Sequence, residues 1–214
     1  MIVCRPSAEQ VKLPLHGRSR VAELRSFRQA DPAPARHFAL YCTATNFPFA
    51  RVKPKLLIDC DPGHDDAVAI LYAARHFDLL GITTIFGNQT VELTTRNALR
   101  VLSLAGLTIP VARGFDRPLV GEAPLAPDTH GASGLDGVEL PEPTAEPIDM
   151  HAVQFIIDTV GRHRGEVIVA IIGTHTNVAV ALRLEPRLAQ WIRAITIMGG
   201  TAGMGNLRRF QPMA

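Results

Sequence analysis

The chain has 214 residues, 47% hydrophobic and 20% charged, the make-up of a soluble globular protein with room for one full-sized domain. Its net charge of +2 is unevenly spread: residues 1–53 carry nine Lys or Arg against three Asp or Glu, and the remainder carries thirteen against seventeen. A mildly acidic body argues against nucleic acid as a partner, Cys4, Cys42 and Cys60 lack the spacing of a disulfide framework or zinc site, and no apolar run reaches the roughly 18 residues of a membrane span. The expected compartment is a reducing one, the cytoplasm.

Residues 1–53 are Arg-rich, are punctuated by Pro6, Pro14, Pro32, Pro34 and Pro48, and show no sustained helical or alternating pattern. They are expected to form a poorly ordered extension ahead of a domain over residues 54–214. The arginine excess also suits a transit peptide, but no clear cleavage signal follows, and a mis-assigned start codon explains it as well. Beyond the extension, short aliphatic runs alternate with segments of helical period. Strands are predicted at Leu56–Cys60, Leu80–Ile85, Ile109–Ala112, Val167–Ile172 and Ala194–Met198, and helices at Asp65–His76, Val91–Ala105, Met150–Arg162 and Asn177–Leu184. This alternation predicts an α/β fold, an open and mostly parallel sheet with helices on both faces. Val167–Ile172, wholly apolar, is expected to be buried on both sides. The Gly- and Pro-rich segment from Arg113 to Pro147 is too long for a simple connection, and loops of that length usually serve function.

Ligands of open parallel sheets bind at the carboxyl ends of the strands, so the residues just after each apolar run are the candidates. After the first strand comes Asp59-Cys-Asp61-Pro-Gly-His-Asp65-Asp66, four carboxylates in eight residues with no Lys or Arg among them. Such a density is self-repelling, and a bound cation is the natural way to hold it together. Asp59 and Asp61 alternate on one strand face, whereas Asp65 and Asp66 open the next helix, where the helix dipole favours negative charge. Helix capping would account for one of the latter pair but not for Asp59 and Asp61. An all-oxygen set around a glycine turn suits Ca²⁺ or Mg²⁺ better than zinc. Gly87-Asn88, Gly173-Thr-His-Thr-Asn177 and Gly199-Gly200 follow the later strands.

The string Asp59-Cys-Asp61-Pro-Gly63-His-Asp65-Asp66-Ala67 resembles the N-terminal signature of the inosine-uridine preferring nucleoside hydrolases. Gly87-Asn88, Thr176-Asn177-Val-Ala, Leu184-Glu-Pro and Met198-Gly-Gly match that family in the same order, so the resemblance spans about residues 55–206. It implies a ribohydrolase that uses Ca²⁺ and an activated water to split the N-glycosidic bond of a nucleoside. By the same resemblance Asp61 and Asp66 would bind calcium together with the backbone carbonyl of Ile172, and Asp61 would be the catalytic base. Asp65 and Asn88 would hold ribose hydroxyls, with Asn206 and Met198 in the sugar pocket, His130 near the substrate, and Asp59 supporting the metal ligands. His64 occupies a variable position of the motif and reads as a turn residue. Thr174-His175 stands where the family commonly has Pro-Leu, removing a proline that fixes the backbone.

The resemblance also implies features that the sequence does not display: an Ala-Glu-Phe-Asn-like segment for ribose, and a His-Asp pair for leaving-group protonation and the last metal ligand. The residues after Asn206 do not match them. A domain incomplete at its C-terminus is therefore expected, with activity weakened or lost and apolar sheet surface exposed. Family members are homodimers or homotetramers, an assembly this chain would share if its fold were complete. Two rivals stand beside this reading. A haloacid-dehalogenase-like phosphatase also places Asp-x-Asp after its first strand, but Pro-Gly-His-Asp-Asp does not suit its nucleophile loop. The other is a calcium- or nucleoside-binding remnant, or an interaction protein, without catalysis.

Overall fold

A computed structural model of the chain describes residues 2–4, 52–123 and 125–200. Most of the expected poorly ordered extension lies outside the described residues, as does Asn206. In chain order the elements are β1 (Ile2–Cys4), β2 (Lys55–Cys60), α1 (His64–His76), β3 (Asp78–Thr84), α2 (Val91–Ala105), β4 (Val111–Arg113), α3 (Pro127–His130), α4 (Ala152–Arg162), β5 (Val167–Ile171), α5 (Thr176–Leu184), α6 (Leu188–Trp191) and β6 (Ala194–Ile197). They build one six-stranded sheet in the order β1-β6-β5-β2-β3-β4. All neighbours are parallel except β1, which pairs antiparallel with β6 through Ile2 opposite Ile197. The predicted open, mostly parallel architecture is therefore present, with an antiparallel edge strand in a stretch where the sequence pattern indicated none.

Helices cover both faces. On one, Ile70 and Ala73 of α1 and Ala98, Leu99, Val101 and Leu102 of α2 pack on Leu56, Ile58, Cys60 and Ile82. On the other, Val153, Phe155, Ile156 and Val160 of α4, with Val178 and Ala181 of α5, pack on Leu57, Val167, Val169 and Ile171. Central β2 thus buries five consecutive residues, Leu56 to Cys60, as a parallel strand between two helix layers must. The expectation of a strand at Val167–Ile172 buried on both sides is corrected. Val167, Val169 and Ile171 are buried, but Ile168 and Ala170 are only half-buried, because α1 and α2 lie over β2 to β4 and leave that face of β5 thinly covered.

Local chemistry sets the helix ends. Asp65 and Asp66 occupy the first turn of α1, and Arg75 and His76 its last turn, both in favourable alignment with the helix dipole. Gly106 ends α2 in a left-handed conformation (φ 63°) and returns its N–H to the carbonyls of Leu102 and Ser103. The His151 side chain accepts from the Val153 N–H at 3.2 Å and caps α4.

Gly81 in β3 fixes how closely α4 approaches the sheet. A Cβ there would stand 2.4 Å from two ring carbons of Phe155, which is itself buried. Gly81→Ala is expected to destabilise the domain by about 1–3 kcal/mol, measured as a lower midpoint in thermal or urea unfolding. An unchanged midpoint would show that the Phe155 ring swings away at no cost.

Candidate functional site

The acidic turn caps the central strand of the sheet. Asp59, next to last in β2, is fully buried, and one carboxylate oxygen, Oδ1, accepts from Thr83 Oγ1 at 2.6 Å and from Asn177 Nδ2 at 2.8 Å. Asp61 follows in the turn. Its Oδ2 accepts from the Asn88 backbone N–H at 2.7 Å and its carbonyl from Asn88 Nδ2 at 2.9 Å. Asp66, in the first turn of α1, receives the Gly63 N–H and Asn88 Nδ2 on its Oδ2, both at 3.3 Å. Asn88 therefore ties Asp61 to Asp66. Asp65, adjacent in sequence, is exposed.

Two glycines let backbone crowd the Asp61 carboxylate. A Cβ on Gly87 would lie 2.0 Å from Asp61 Oδ2, and one on Gly173 would lie 2.9 Å from Asp61 Oδ1. Gly173 follows Ile172 at the end of β5, and both donate their N–H groups to the Asp59 carbonyl, at 3.2 and 2.8 Å. The residue after Ile172 is thus brought against Asp61. The Thr174-His175 departure leaves the loop ordered. Thr174 Oγ1 donates to the Phe86 carbonyl at 2.9 Å, and α5 still begins at Thr176.

Burial without counter-charge shapes the electrostatics. Desolvation pushes the Asp59 carboxyl up to about 7, against the lowering effect of its Asn177 and Thr83 hydrogen bonds. Asp61 is pushed to about 8 by desolvation and by the neighbouring Asp66. Asp66 rises to about 7 through desolvation and Asp65. Two buried oxygens, Asp59 Oδ2 and Asp66 Oδ1, find no hydrogen-bond partner among the described residues. Buried carboxylate oxygens are seldom left bare unless a ligand completes them. The donor set of Asp61, Asp66 and backbone carbonyl is all oxygen, which fits a hard cation. Among the described residues no three acidic, His or Cys side chains converge on one point.

The long loop reaches this turn. Asn97 Nδ2 bridges the Pro62 carbonyl at 3.2 Å and the Ser133 carbonyl at 2.8 Å, and Gln89 Nε2 donates to the Gly131 carbonyl at 2.9 Å. His130 sits so that a Cβ on Gly63 would meet its Nδ1 at 2.8 Å and Asn88 Nδ2 at 2.7 Å. It therefore belongs to the rim of the acidic turn. Met198 lies two strands away from Asp61, exposed at the end of β6, with its N–H on the Ile171 carbonyl at 2.8 Å. Sequence reasoning gave no site role to three participants. Asn177 and Thr83 hold Asp59, and Asn177 also accepts the Phe115 N–H and donates to the Thr84 carbonyl. His64, read as a turn residue, opens α1 and contacts His130. A surface hollow of about 410 Å³ lined by Glu92, Arg96, Arg113 and Glu142 contains none of the aspartates.

The acidic turn thus lies at the carboxyl end of a central parallel strand and is crossed by Asn88 from the loop after β3. Residues 56–214 match the family model for inosine-uridine preferring nucleoside hydrolase, and the chain belongs to that family. It is 42% identical over 164 residues to a pyrimidine-specific ribonucleoside hydrolase, RihB, of Escherichia coli, covering 76% of this chain and 51% of the relative. Among solved structures, a plant nucleoside hydrolase, PpNRh1, superposes with a TM-score of 0.65 at 37% identity, over 70% of this chain and 48% of that one. A purine-preferring ribonucleoside hydrolase from Gardnerella vaginalis gives 0.65 at 32% identity, over 69% and 49%. The chain thus spans about half the length of the relatives it matches. No helix among the described residues is long and apolar enough to cross a membrane.

Proposed function

We propose that this chain forms the sugar- and cation-binding half of a ribonucleoside hydrolase that cleaves the N-glycosidic bond of purine or pyrimidine nucleosides to ribose and free base, with Ca²⁺ as cofactor. The observation that carries this reading is the pair of buried, unpartnered carboxylate oxygens on Asp59 and Asp66 beside Asp61. Asp61, Asp66 and the carbonyl of Ile172 would hold the ion, and Asp59 would support them from behind. Bound calcium would supply positive charge that lowers the pKa of a water and anchors ribose hydroxyls.

The residues of the chain divide the remaining work. Asp61 takes the proton of the attacking water, which requires its carboxyl, held at about 8 by burial, to be brought down by a neighbouring positive charge. Asp65 and Asn88 orient the ribose, with His130, Met198 and Asn206 completing the pocket. Fixing the sugar in an attack geometry removes several kcal/mol of barrier. Ionised carboxylates around the sugar stabilise the oxocarbenium-like transition state. Such an enzyme serves nucleoside catabolism and purine salvage in the cytoplasm, and the family assembly would be a homodimer or homotetramer.

A second reading is favoured by the absence of a third converging acid among the described residues. On it the chain binds calcium or nucleoside without catalysis, or serves as an interaction protein. An assay of inosine and uridine hydrolysis, with calcium and with a chelator, separates the two. Calcium-dependent release of free base is expected under the first reading. Calcium or ribose binding by calorimetry with no base released would establish the second.

A further inference from the structure

We infer that His64 is a positioning residue that fixes the tautomer of His130, leaving His130 Nε2 as a hydrogen-bond acceptor at the rim of the acidic turn. The inference rests on the nucleoside reading only for the identity of the ligand that His130 would meet.

The two imidazoles stack with centroids 5.4 Å apart, and their Nδ1 atoms lie 3.1 Å from each other. The other nitrogen of His64, Nε2, lies 3.0 Å from the Asp136 carbonyl oxygen. A carbonyl can only accept, so Nε2 of His64 must carry a proton to make that contact favourable. A neutral His64 then has a bare Nδ1, and His130 must supply the hydrogen between the two rings from its own Nδ1. Its Nε2 is left with a lone pair.

The competing arrangement puts the proton on His64 Nδ1. It would let His130 Nδ1 accept from that ring and from the His64 backbone N–H, which stands 3.4 Å away. That arrangement gives up a bond of ordinary length, 3.0 Å, and sets two lone pairs against each other at the Asp136 carbonyl. In return it gains a contact longer than normal N–H hydrogen bonds, where the first arrangement instead sets the His64 backbone N–H against a protonated His130 Nδ1 at 3.4 Å. The first arrangement prevails on geometry.

The Asp136 carbonyl is itself well placed to act as the fixed end of this relay. The Asp136 side chain accepts from the Ala132 and Ser133 N–H groups at 2.9 and 3.0 Å and from Ser133 Oγ at 2.5 Å. Its own N–H donates to the His130 carbonyl at 3.2 Å. The loop from His130 to Asp136 is therefore closed on itself and pinned to α2 through Asn97. An acceptor at His130 selects a donor on its ligand, such as a sugar hydroxyl, and rejects a carbonyl or phosphate oxygen at that point.

Ring-nitrogen NMR spectra of the full chain with isotopically labelled histidine test this directly. The spectra are read for the neutral form of each ring, and His130→Gln assigns the signal. The expected result is a His130 ring protonated on Nδ1. It should shift to the Nε2-protonated form in His64→Phe and return in His64→Asn, whose side-chain oxygen can accept. Inosine added with calcium should then move the His130 Nε2 signal. A parent His130 protonated on Nε2, or a tautomer unmoved in His64→Phe, overturns the inference. A correct tautomer with no response to inosine removes its ligand role. Failure of the hydrolysis assay, by contrast, bears on the proposed function and leaves the tautomer result standing.

Discussion

Asp61→Asn should cut calcium affinity by at least about 100-fold and any nucleoside hydrolysis by about 100- to 10,000-fold, while raising the stability of the cation-free protein under mildly alkaline conditions. The two effects have opposite signs because the carboxylate is costly to the fold and useful to the ligand. Asp61 lies buried between Gly87 and Gly173, beside Asp66, and asparagine keeps its shape and its ability to accept the Asn88 N–H. It loses only the charge that burial penalises. Calorimetric calcium titration, the base-release assay and thermal unfolding in chelator would be read together. Unchanged calcium affinity would remove Asp61 from the ligand set, and a lower melting temperature in chelator would show that its charge is not the cost proposed here.

The pH dependence of the cation-free protein should run opposite to ordinary acid denaturation. Asp59, Asp61 and Asp66 titrate at about 7, 8 and 7 in the folded protein, against about 3.9 for an unfolded aspartate. Between those limits the native state holds more protons than the unfolded chain, so the stability these groups contribute is complete below about pH 4 and is lost as pH rises through about 7–8. For one carboxylate the linkage bound is ~4 kcal/mol, and a 150–250-residue protein moves its melting point by roughly 2–4 °C per kcal/mol. A fall of order ten degrees between about pH 5 and pH 8.5 in chelator is therefore expected. Saturating calcium should flatten it, since ligation favours the ionised forms, and binding should release protons near neutral pH. A melting point that climbs with pH in chelator would contradict the assigned environments.

How much of this the residue pattern foretold depends on the range of each interaction. β2, α1 and α2 were legible because an aliphatic run, an acidic first turn and a helical period all lie within their own segments, and Val91–Ala105 matches to the residue. β3 starts earlier than expected, at Asp78, because pairing with Lys55 extends it, and β4 shifts to Val111–Arg113 for the same kind of reason. α3 and α6 have four residues each, too few to display a period. β1 depends on β6, almost the whole chain away, and nothing in its own three residues announces that partner.

The site divides along the same line. Asp59, Asp61, Asp65 and Asp66 are neighbours in sequence, and their chemistry is visible as a cluster. Asn88 and His130 came from the resemblance, and the structure brings both against Gly63. The grip of Asn177 on Asp59 spans 118 residues, and that of Thr83 spans 24. An asparagine at the start of a helix has an adequate local explanation as a cap and gives no sign of a distant carboxylate. His64 was hidden similarly, since only the folded loop shows it between His130 and Asp136.

The place of Asp59 in the middle of the strand order has a physiological corollary. A burden carried at the periphery could be shed by local fraying, but one carried on β2 is shared by every strand hydrogen-bonded outward from it. Proteases that prey on transiently opened molecules would then cleave cation-free copies soonest, so resistance of the protein to proteolysis should rise with the concentration of any cation that neutralises its acidic turn.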